Sequence, residues 1–335
     1  MKKILFNLLL IVALLALFSC REEKYIDEPG NLVPKTVTEN LALPSITVNN
    51  VKLHSEAFGN PANTMIVAIH GGPGGDYRYM LNCKELANRG YYIVFYDQRG
   101  SGLSQRLNKE QYSGKELLAL DEIYKELEGV IEHYKTSSTQ KVILLGHSWG
   151  GILASAFVGK YPNVANGLIV CEPGGLKWTD LEEYVKNSRS FKLWSEISND
   201  ATYIDQFMTG KENQHEILDY KLNILAAKND ITGDDVQPQS FWRSGAVINV
   251  ALFDLGIKLK PDFSLNVKTN SPKTLFLYSE KNKAYTTSWA HKISSAYSSV
   301  IIQKINGVGH NGIISNKEAW QTQTMPIILQ YIQSL

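Results

Sequence analysis

Cysteine is scarce in this chain of 335 residues, and neither sign of charge is in excess. Three cysteines, none paired in the spacing typical of zinc ligands, argue against a disulfide scaffold and a cysteine-ligated metal site. Lysine and arginine total 34 and aspartate and glutamate 33, so the formal net charge is +1. Such a neutral chain gives no reason to expect nucleic acid or acidic polymers as partners.

The longest apolar run lies at the N-terminus. Lys2 and Lys3 precede the apolar residues 4–18, which are followed by Ser19 and Cys20. The run is shorter than the roughly 20 residues of a comfortable membrane span, and its basic start is typical of a secretory signal peptide. An uncleaved anchor, or an ordinary signal peptide with an incidental cysteine, is the alternative.

Residues 17–20, Leu-Phe-Ser-Cys, also resemble the lipobox of bacterial lipoproteins, in which the cysteine becomes the lipidated first residue. We therefore expect a signal peptide over 1–19, a lipid on Cys20 and a flexible tether over 20–42. This predicts an exported lipoprotein of the cell envelope, on its periplasmic side or at the cell surface. The membrane would be touched only through the anchor.

Apolar segments typical of strands alternate with helical periodicity over most of the chain, which predicts a mostly parallel sheet with helices on both faces. After a hairpin over 46–58, the predicted strands are 65–70, 92–96, 142–145, 168–171, 274–278 and 300–305. Between 173 and 262, helical segments rich in charge and aromatic residues follow one another. We predict that this block is a helical lid, inserted between core segments 43–172 and 263–335.

The most informative segment follows the predicted strand 142–145. Residues 146–150, Gly-His-Ser-Trp-Gly, match G-x-S-x-G, and a predicted helix comes next. Strand, turn and helix are the context of a nucleophile elbow, whose sharp turn leaves no room for Cβ atoms at the two glycines. An isolated match would more often be a plain glycine turn. Here the context predicts Ser148 as a nucleophile.

A serine nucleophile needs a histidine base and backbone donors for the oxyanion. His310 lies on a glycine-flanked loop after the last predicted strand, where the order serine, acid, histidine places the base. Residues 70–75, His-Gly-Gly-Pro-Gly-Gly, follow a strand and have the glycine-rich form of an oxyanion loop. We expect the donors to be the backbone N–H groups of Gly72 and Trp149.

Three motifs in order carry a family resemblance. They are His-Gly-Gly-Pro-Gly at 70–74, Asp-Gln-Arg-Gly-Ser-Gly-Leu-Ser at 97–104 and Gly-His-Ser-Trp-Gly-Gly at 146–151. Together they resemble the prolyl aminopeptidase (proline iminopeptidase, peptidase S33) group of α/β-hydrolases. The resemblance covers the predicted sheet domain and implies an α/β-hydrolase fold, in which Asp97 and Arg99 brace the loops around the site. It also implies release of N-terminal proline from short peptides through an acyl-enzyme, without a metal or organic cofactor.

The chain departs from that family at the triad acid. The family carries its acid in a stretch like G-E-x-D after the strand at 275–278, but here Asn282 stands at the aspartate position. Glu172 directly follows the neighbouring strand 168–171, so we choose it as the acid, with Glu280 second. The alternative role of Glu172 is a solvated loop charge or a cap on the following turn.

Substrate specificity stays open. In the aminopeptidases, lid carboxylates hold the free α-amino group of the substrate, and the candidates here are Glu182, Glu183, Glu196, Glu212 and Glu216. A carboxylesterase or lactonase acting on a small ester is one alternative, favoured if only apolar lid residues approach the serine. A degenerate hydrolase that only binds a ligand is the other.

Overall fold

The computed structural model describes residues 29–113, 117–188, 214–225, 231–233 and 242–335. The predicted signal peptide and Cys20 lie outside these ranges, as do Glu196 and Glu212. No helix within the described ranges combines the length and apolar character that a membrane span requires.

The described strands form one sheet in the order β1-β2-β4-β3-β5-β6-β7-β8. The strands are β1 (Ser45–Val48), β2 (Val51–Phe58), β3 (Met65–Ile69), β4 (Tyr92–Tyr96), β5 (Val142–His147), β6 (Gly167–Cys171), β7 (Thr274–Ser279) and β8 (Val300–Ile305). The pairs β1–β2 and β2–β4 are antiparallel, and the other neighbours are parallel. Parallel strands joined through helices confirm the predicted α/β-hydrolase class of fold.

Helices cover both faces of this sheet. They are α1 (Arg78–Arg89, a 3-10 helix), α2 (Glu110–Ser113), α3 (Leu117–Tyr134), α4 (Trp149–Lys160), α5 (Trp178–Ser188), α6 (His215–Leu225), α7 (Ala246–Leu259), α8 (Val267–Asn270), α9 (Thr287–Ser294), α10 (Gly312–Ser315), α11 (Lys317–Ala319), α12 (Trp320–Thr324, a π-helix) and α13 (Met325–Gln333). The helix predicted over 320–331 is thus two segments of different winding.

Two apolar cores sandwich the sheet because successive side chains of a strand point to opposite faces. In β3, Met65 and Val67 pack into one core, and Ile66 and Ala68 pack into the other. Every residue of β3 is buried, as are those of β4 to β7. Strands buried on both faces are apolar at every position, which explains why uninterrupted apolar runs predicted them.

The described part of the segment between β6 and β7 is helical, and α7 was not predicted individually. Its buried residues lie all around the helix, from Ala246 and Val247 to Leu255 and Gly256. Such a helix shows little amphipathic periodicity, so charge and aromatic content were a poor guide to it. Lys177 and Asp262 form a single β-bridge where the chain enters and leaves this segment. The lid boundaries themselves stay a prediction.

The predicted tether is wrong over its second half, where residues 29–42 pack against the body. Val37 is fully buried, and the backbone N–H groups of Gly30 and Leu32 donate to Glu216 on α6. Glu39 pairs with Arg243 just before α7, with 2.9 Å between Oε2 and Nη1. These partners lie about 200 residues away along the chain, so no local pattern could reveal them. We call residues 29–42 the strap.

Candidate active site

Ser148 lies in a sharp turn between β5 and α4, with φ 54° and ψ −122°, which is rare for a residue with a side chain. A Cβ on Gly150 would lie 2.0 Å from the carbonyl oxygen of Ile69, and one on Gly146 would lie 2.3 Å from that of Gly150. Both glycines are therefore required by close approach, as the elbow motif predicts. The turn leaves Ser148 partly exposed while its neighbours are buried.

Glu172 and His310 meet as a buried pair. Oε2 of Glu172 lies 2.6 Å from Nδ1 of His310, and the carboxylate is fully buried. A carboxylate at Nδ1 holds the imidazole with Nε2 free to act as a base, which is the geometry of a serine-hydrolase triad. The interaction predicted for Glu172 is thus present, and its alternative role as a solvated loop charge is wrong.

Asn282 and Ser279 complete the surroundings of the carboxylate. Ser279 donates its backbone N–H and its hydroxyl to Oε1 of Glu172, each at 2.5 Å, and Asn282 donates Nδ2 to Oε2 at 2.8 Å. Asn282, at the family's acid position, therefore hydrogen-bonds to Glu172, which directly follows β6. Buried charge is tolerated only with such compensation, and this carboxylate has it on both oxygens.

Glu280, the second choice for the acid, lies elsewhere. Its side chain is about half exposed, accepts the N–H of Gly307 at 2.9 Å and lies 3.9 Å from Nζ of Lys304. The loop after β7 thus directs Asn282 inward and Glu280 to the surface.

His147, the elbow residue before Ser148, contacts the loop that carries His310. His310 accepts a hydrogen bond at its carbonyl oxygen from Nε2 of His147, at 2.9 Å, and the two imidazole centroids are 4.6 Å apart. The residue before the nucleophile is therefore bonded to the loop that carries the base.

Gly72 and Trp149 flank Ser148 in the wall of one pocket, as expected of oxyanion donors. Gly72 has φ 136° and a Cβ there would lie 2.5 Å from the backbone nitrogen of Gly74, so only glycine fits. Among the described residues, nothing accepts a hydrogen bond from the backbone N–H of Gly72 or Trp149. Two such N–H groups beside a nucleophile can bind a developing oxyanion.

The motif that begins at Asp97 braces these loops, as the resemblance implies. Asp97 is fully buried and accepts hydrogen bonds from the backbone N–H groups of Tyr77 and Leu103 and from His54. Gln98 accepts from Nε1 of Trp149 at 2.9 Å, tying the motif to the elbow.

Arg99 pairs with buried Glu126 on α3, with 2.8 Å between Nε and Oε2. Neither Arg99 nor Asp97 lines the pocket in front of Ser148.

His147 and Tyr79 are site residues that sequence analysis missed. Tyr79 Oη lies 2.7 Å from Nδ1 of His147 and accepts the N–H of Gly71 at 2.8 Å. Burial lowers the pKa of His147 well below its usual value, and the nearby His310 imidazole lowers it further. Burial likewise raises the pKa of Tyr79. The imidazole is therefore neutral and the phenol protonated at neutral pH. The position of His147 inside the elbow motif was the available signal.

The pocket in front of Ser148 has about 700 Å³ of empty space, its open mouth included. Helices α5 and α7 form much of its wall, and no charged side chain is among its described lining residues. The lining includes Leu120, Ile152, Trp178, Leu181, Val185, Leu252, Phe253, Leu255 and Phe263. Among the described lining residues, the polar side-chain atoms are the hydroxyls of Ser148 and Tyr184 and the indole N–H groups of Trp149 and Trp178.

The candidate lid carboxylates that the structure describes interact with other groups of the protein. Glu182 accepts from Nε1 of Trp178 at 2.6 Å, and Glu183 is exposed, 3.6 Å from Nζ of Lys292. Glu216 binds the strap. None of these three lines the pocket. These three candidates therefore do not face the serine, and the other two, Glu196 and Glu212, lie outside the described residues.

Sheet order, elbow and buried Glu172–His310 pair together define an α/β-hydrolase. Residues 60–230 match the family model described as "Serine aminopeptidase, S33", about half of the chain, and the chain belongs to this family. Membership in this family of serine hydrolases argues against the non-catalytic alternative.

Relatives match only part of the chain. It is 37% identical to a proline iminopeptidase of Saccharolobus solfataricus over 111 residues, which is 32% of this chain and 33% of that protein. A proline iminopeptidase of Elizabethkingia meningoseptica is 32% identical over 141 residues, 42% of this chain and 44% of that protein. The matches thus span between a third and less than half of these relatives.

A solved structure covers more of the chain at lower identity. An esterase of Thermogutta terrifontis superposes with a TM-score of 0.56 and 18% identity, covering 87% of this chain and 98% of that one. At this identity the likeness concerns the fold alone.

Proposed function

We propose that Ser148, His310 and Glu172 hydrolyse a substrate through an acyl-enzyme. Ser148 Oγ attacks the carbonyl carbon while Nε2 of His310 takes its proton, and the imidazolium then protonates the leaving group. Water activated by the same imidazole cleaves the acyl-serine. Glu172 orients the ring, and the N–H groups of Gly72 and Trp149 bind the oxyanion. This route needs no metal or organic cofactor.

The substrate that the pocket supports best is a carboxylic ester with a small apolar acyl group. The observation that carries this proposal is the uncharged lining of α5 and α7 in front of Ser148. The free α-amino group of a peptide is cationic, and burying an unpaired charge there costs several kcal/mol. An apolar acyl group in the same place is stabilised by burial.

A prolyl aminopeptidase is the second candidate, because the family and the named relatives favour it. The pyrrolidine ring of proline is itself apolar and small enough for this pocket. A carboxylate for its nitrogen would have to come from residues outside the described ranges, where Glu196 and Glu212 occur.

A matched pair of methyl esters separates the two candidates. Methyl cyclopentanecarboxylate and proline methyl ester have the same ring size and leaving group, but only the second carries a cationic nitrogen. We expect kcat/KM to be at least about 100-fold higher for the uncharged ester, since an unpaired buried charge costs more than about 2.8 kcal/mol. Acid release on a pH-stat measures both rates, with Ser148→Ala as the background. A preference for the proline ester would overturn this proposal and favour the aminopeptidase.

We also propose that Cys20 is lipidated and holds the enzyme at the cell envelope of a bacterium. The apolar run 4–18 and the lipobox-like residues 17–20 support this. Expressed in full in a Gram-negative host fed an alkyne fatty acid, the chain should become labelled and partition with membranes. Cys20→Ser should abolish the label, with Cys83→Ser as the control. Equal labelling of the Cys20→Ser chain would contradict the proposal.

A further inference from the structure

One buried line of hydrogen bonds crosses the site behind Ser148. It runs from the N–H of Gly71, in the oxyanion loop, to Tyr79 Oη at 2.8 Å, and from there to Nδ1 of His147 at 2.7 Å. From Nε2 of His147 it continues to the carbonyl oxygen of His310 at 2.9 Å. His147 is the elbow residue before the nucleophile. The line therefore joins the loops that carry the oxyanion donor, the nucleophile and the base.

The direction of every hydrogen bond in this line follows from the groups themselves. A carbonyl oxygen only accepts, so Nε2 of His147 carries the ring proton and Nδ1 must be an acceptor. The single phenolic proton of Tyr79 then goes to Nδ1, which leaves its oxygen to accept from Gly71. Burial keeps the imidazole neutral, as this pattern requires.

The oxyanion loop and the elbow lie in close contact. A Cβ on Gly71 would lie 3.0 Å from Cβ of Ser148 and 3.1 Å from Tyr79 Oη, so the loop rests directly on the elbow. Tyr79 and His147 are both buried. Gly72, whose N–H points to the oxyanion site in the proposed mechanism, is bonded covalently to Gly71. Movement of the Gly71 peptide would therefore move the donor.

We propose that Tyr79 and His147 are positioning residues that hold the oxyanion loop and the His310 loop in register across the elbow. This proposal rests on the hydrolase mechanism above. Neither side chain touches substrate, and both act through the backbone of residues that do. Positioning within fractions of an ångström matters most in the transition state, so the effect falls on kcat rather than on KM.

Tyr79→Phe tests the proposal because it removes one hydroxyl and keeps the ring. We expect kcat to fall about 10- to 100-fold, below the 10²- to 10³-fold typical of deleting an oxyanion donor, with KM changed less than about threefold. Affinity for a trifluoromethyl ketone, which mimics the tetrahedral intermediate, should fall by the same factor as kcat/KM. Tyr91→Phe, just after α1, is the matched control and should behave as wild type.

Variants of His147 provide a rescue test. Glutamine can accept from Tyr79 and donate to the carbonyl of His310, whereas leucine can do neither, so His147→Gln should retain at least about tenfold more activity than His147→Leu. Wild-type kcat and inhibitor affinity in Tyr79→Phe, whatever its melting temperature, would overturn the proposal and leave these residues a structural role only.

A spectroscopic measurement keeps the test independent of turnover. In protein labelled with ¹⁵N-histidine, His147 should show the neutral tautomer protonated at Nε2, and Tyr79→Phe should shift its Nδ1 resonance. The opposite tautomer or an imidazolium at neutral pH would overturn the hydrogen-bond line. A wild-type protein that has the expected tautomer but hydrolyses no ester or amide would instead contradict the proposed function.

Discussion

Ser148→Ala is expected to lower kcat by about 10⁵- to 10⁶-fold, because loss of the nucleophile removes the acyl-enzyme route while binding and oxyanion stabilisation remain. The elbow should keep its fold in this variant. Alanine lacks only the hydroxyl oxygen of serine, so it adds no bulk at a position where φ is 54°. KM for the ester should stay within a few-fold, because the apolar pocket that binds the acyl group is unchanged.

Mass spectrometry after treatment with a fluorophosphonate gives the same test without turnover. Wild-type protein should gain one adduct on Ser148, and Ser148→Ala should gain none. Ser137→Ala, an exposed serine in the loop after α3, is the matched control and should be labelled as wild type. Activity of the Ser148→Ala variant above about 1% of wild type would rule out this serine as the nucleophile.

Glu172→Gln is expected to lower kcat by about 10⁴-fold, as in serine proteases when the triad aspartate becomes an amide. An amide at this position no longer stabilises the imidazolium and can favour the tautomer with the proton on Nε2, which cannot act as a base. Glu280→Gln makes the same change at the other acid near β7 and should leave kcat within about twofold, because Glu280 lies at the surface. A loss below about tenfold for Glu172→Gln would exclude it as the acid.

Asn282→Asp provides the complementary test. The new carboxylate would lie where Nδ2 now donates to Glu172 at 2.8 Å, and two carboxylates so close cannot both ionise. We expect this single change to lower activity. Combined with Glu172→Gln, the same change restores a carboxylate at the family position, and the double variant should exceed Glu172→Gln. Failure of that recovery would show that the loop after β7 cannot place an acid against His310.

The sequence predicted what depends on local patterns. The inner strands were identified from their apolar runs, and Ser148 from a short local motif. Gly146 is required by a contact within that turn, and Gly150 by the close approach of the carbonyl oxygen of Ile69 on β3. The choice of Glu172 over Asn282 needed one further step, since β6 and β7 are neighbouring parallel strands and their ends meet at one edge. Register Cys171↔Leu277 places Glu172 beside the loop that begins at Ser279.

What could not be predicted depends on contacts between distant segments or on weak periodicity. Helix α7 is apolar on several sides because it packs on the core and also lines the pocket. The strap is held by Arg243 and Glu216, roughly 200 residues away. Tyr79 and His147 interact only because the loops after β3 and β8 converge on the elbow.

The strap has a mechanical consequence for a lipidated chain. Gly30, where the described contacts with α6 begin, follows Cys20 by ten residues, and a chain of that length spans at most about 35 Å when fully extended. With Cys20 anchored as proposed, Gly30 would stay within about 35 Å of the lipid, a distance scarcely longer than the bilayer is thick. The strap contacts α6, which lies beside the helices that line the pocket. The enzyme would then work in a thin layer at the membrane surface, on molecules that pass through or leave that layer.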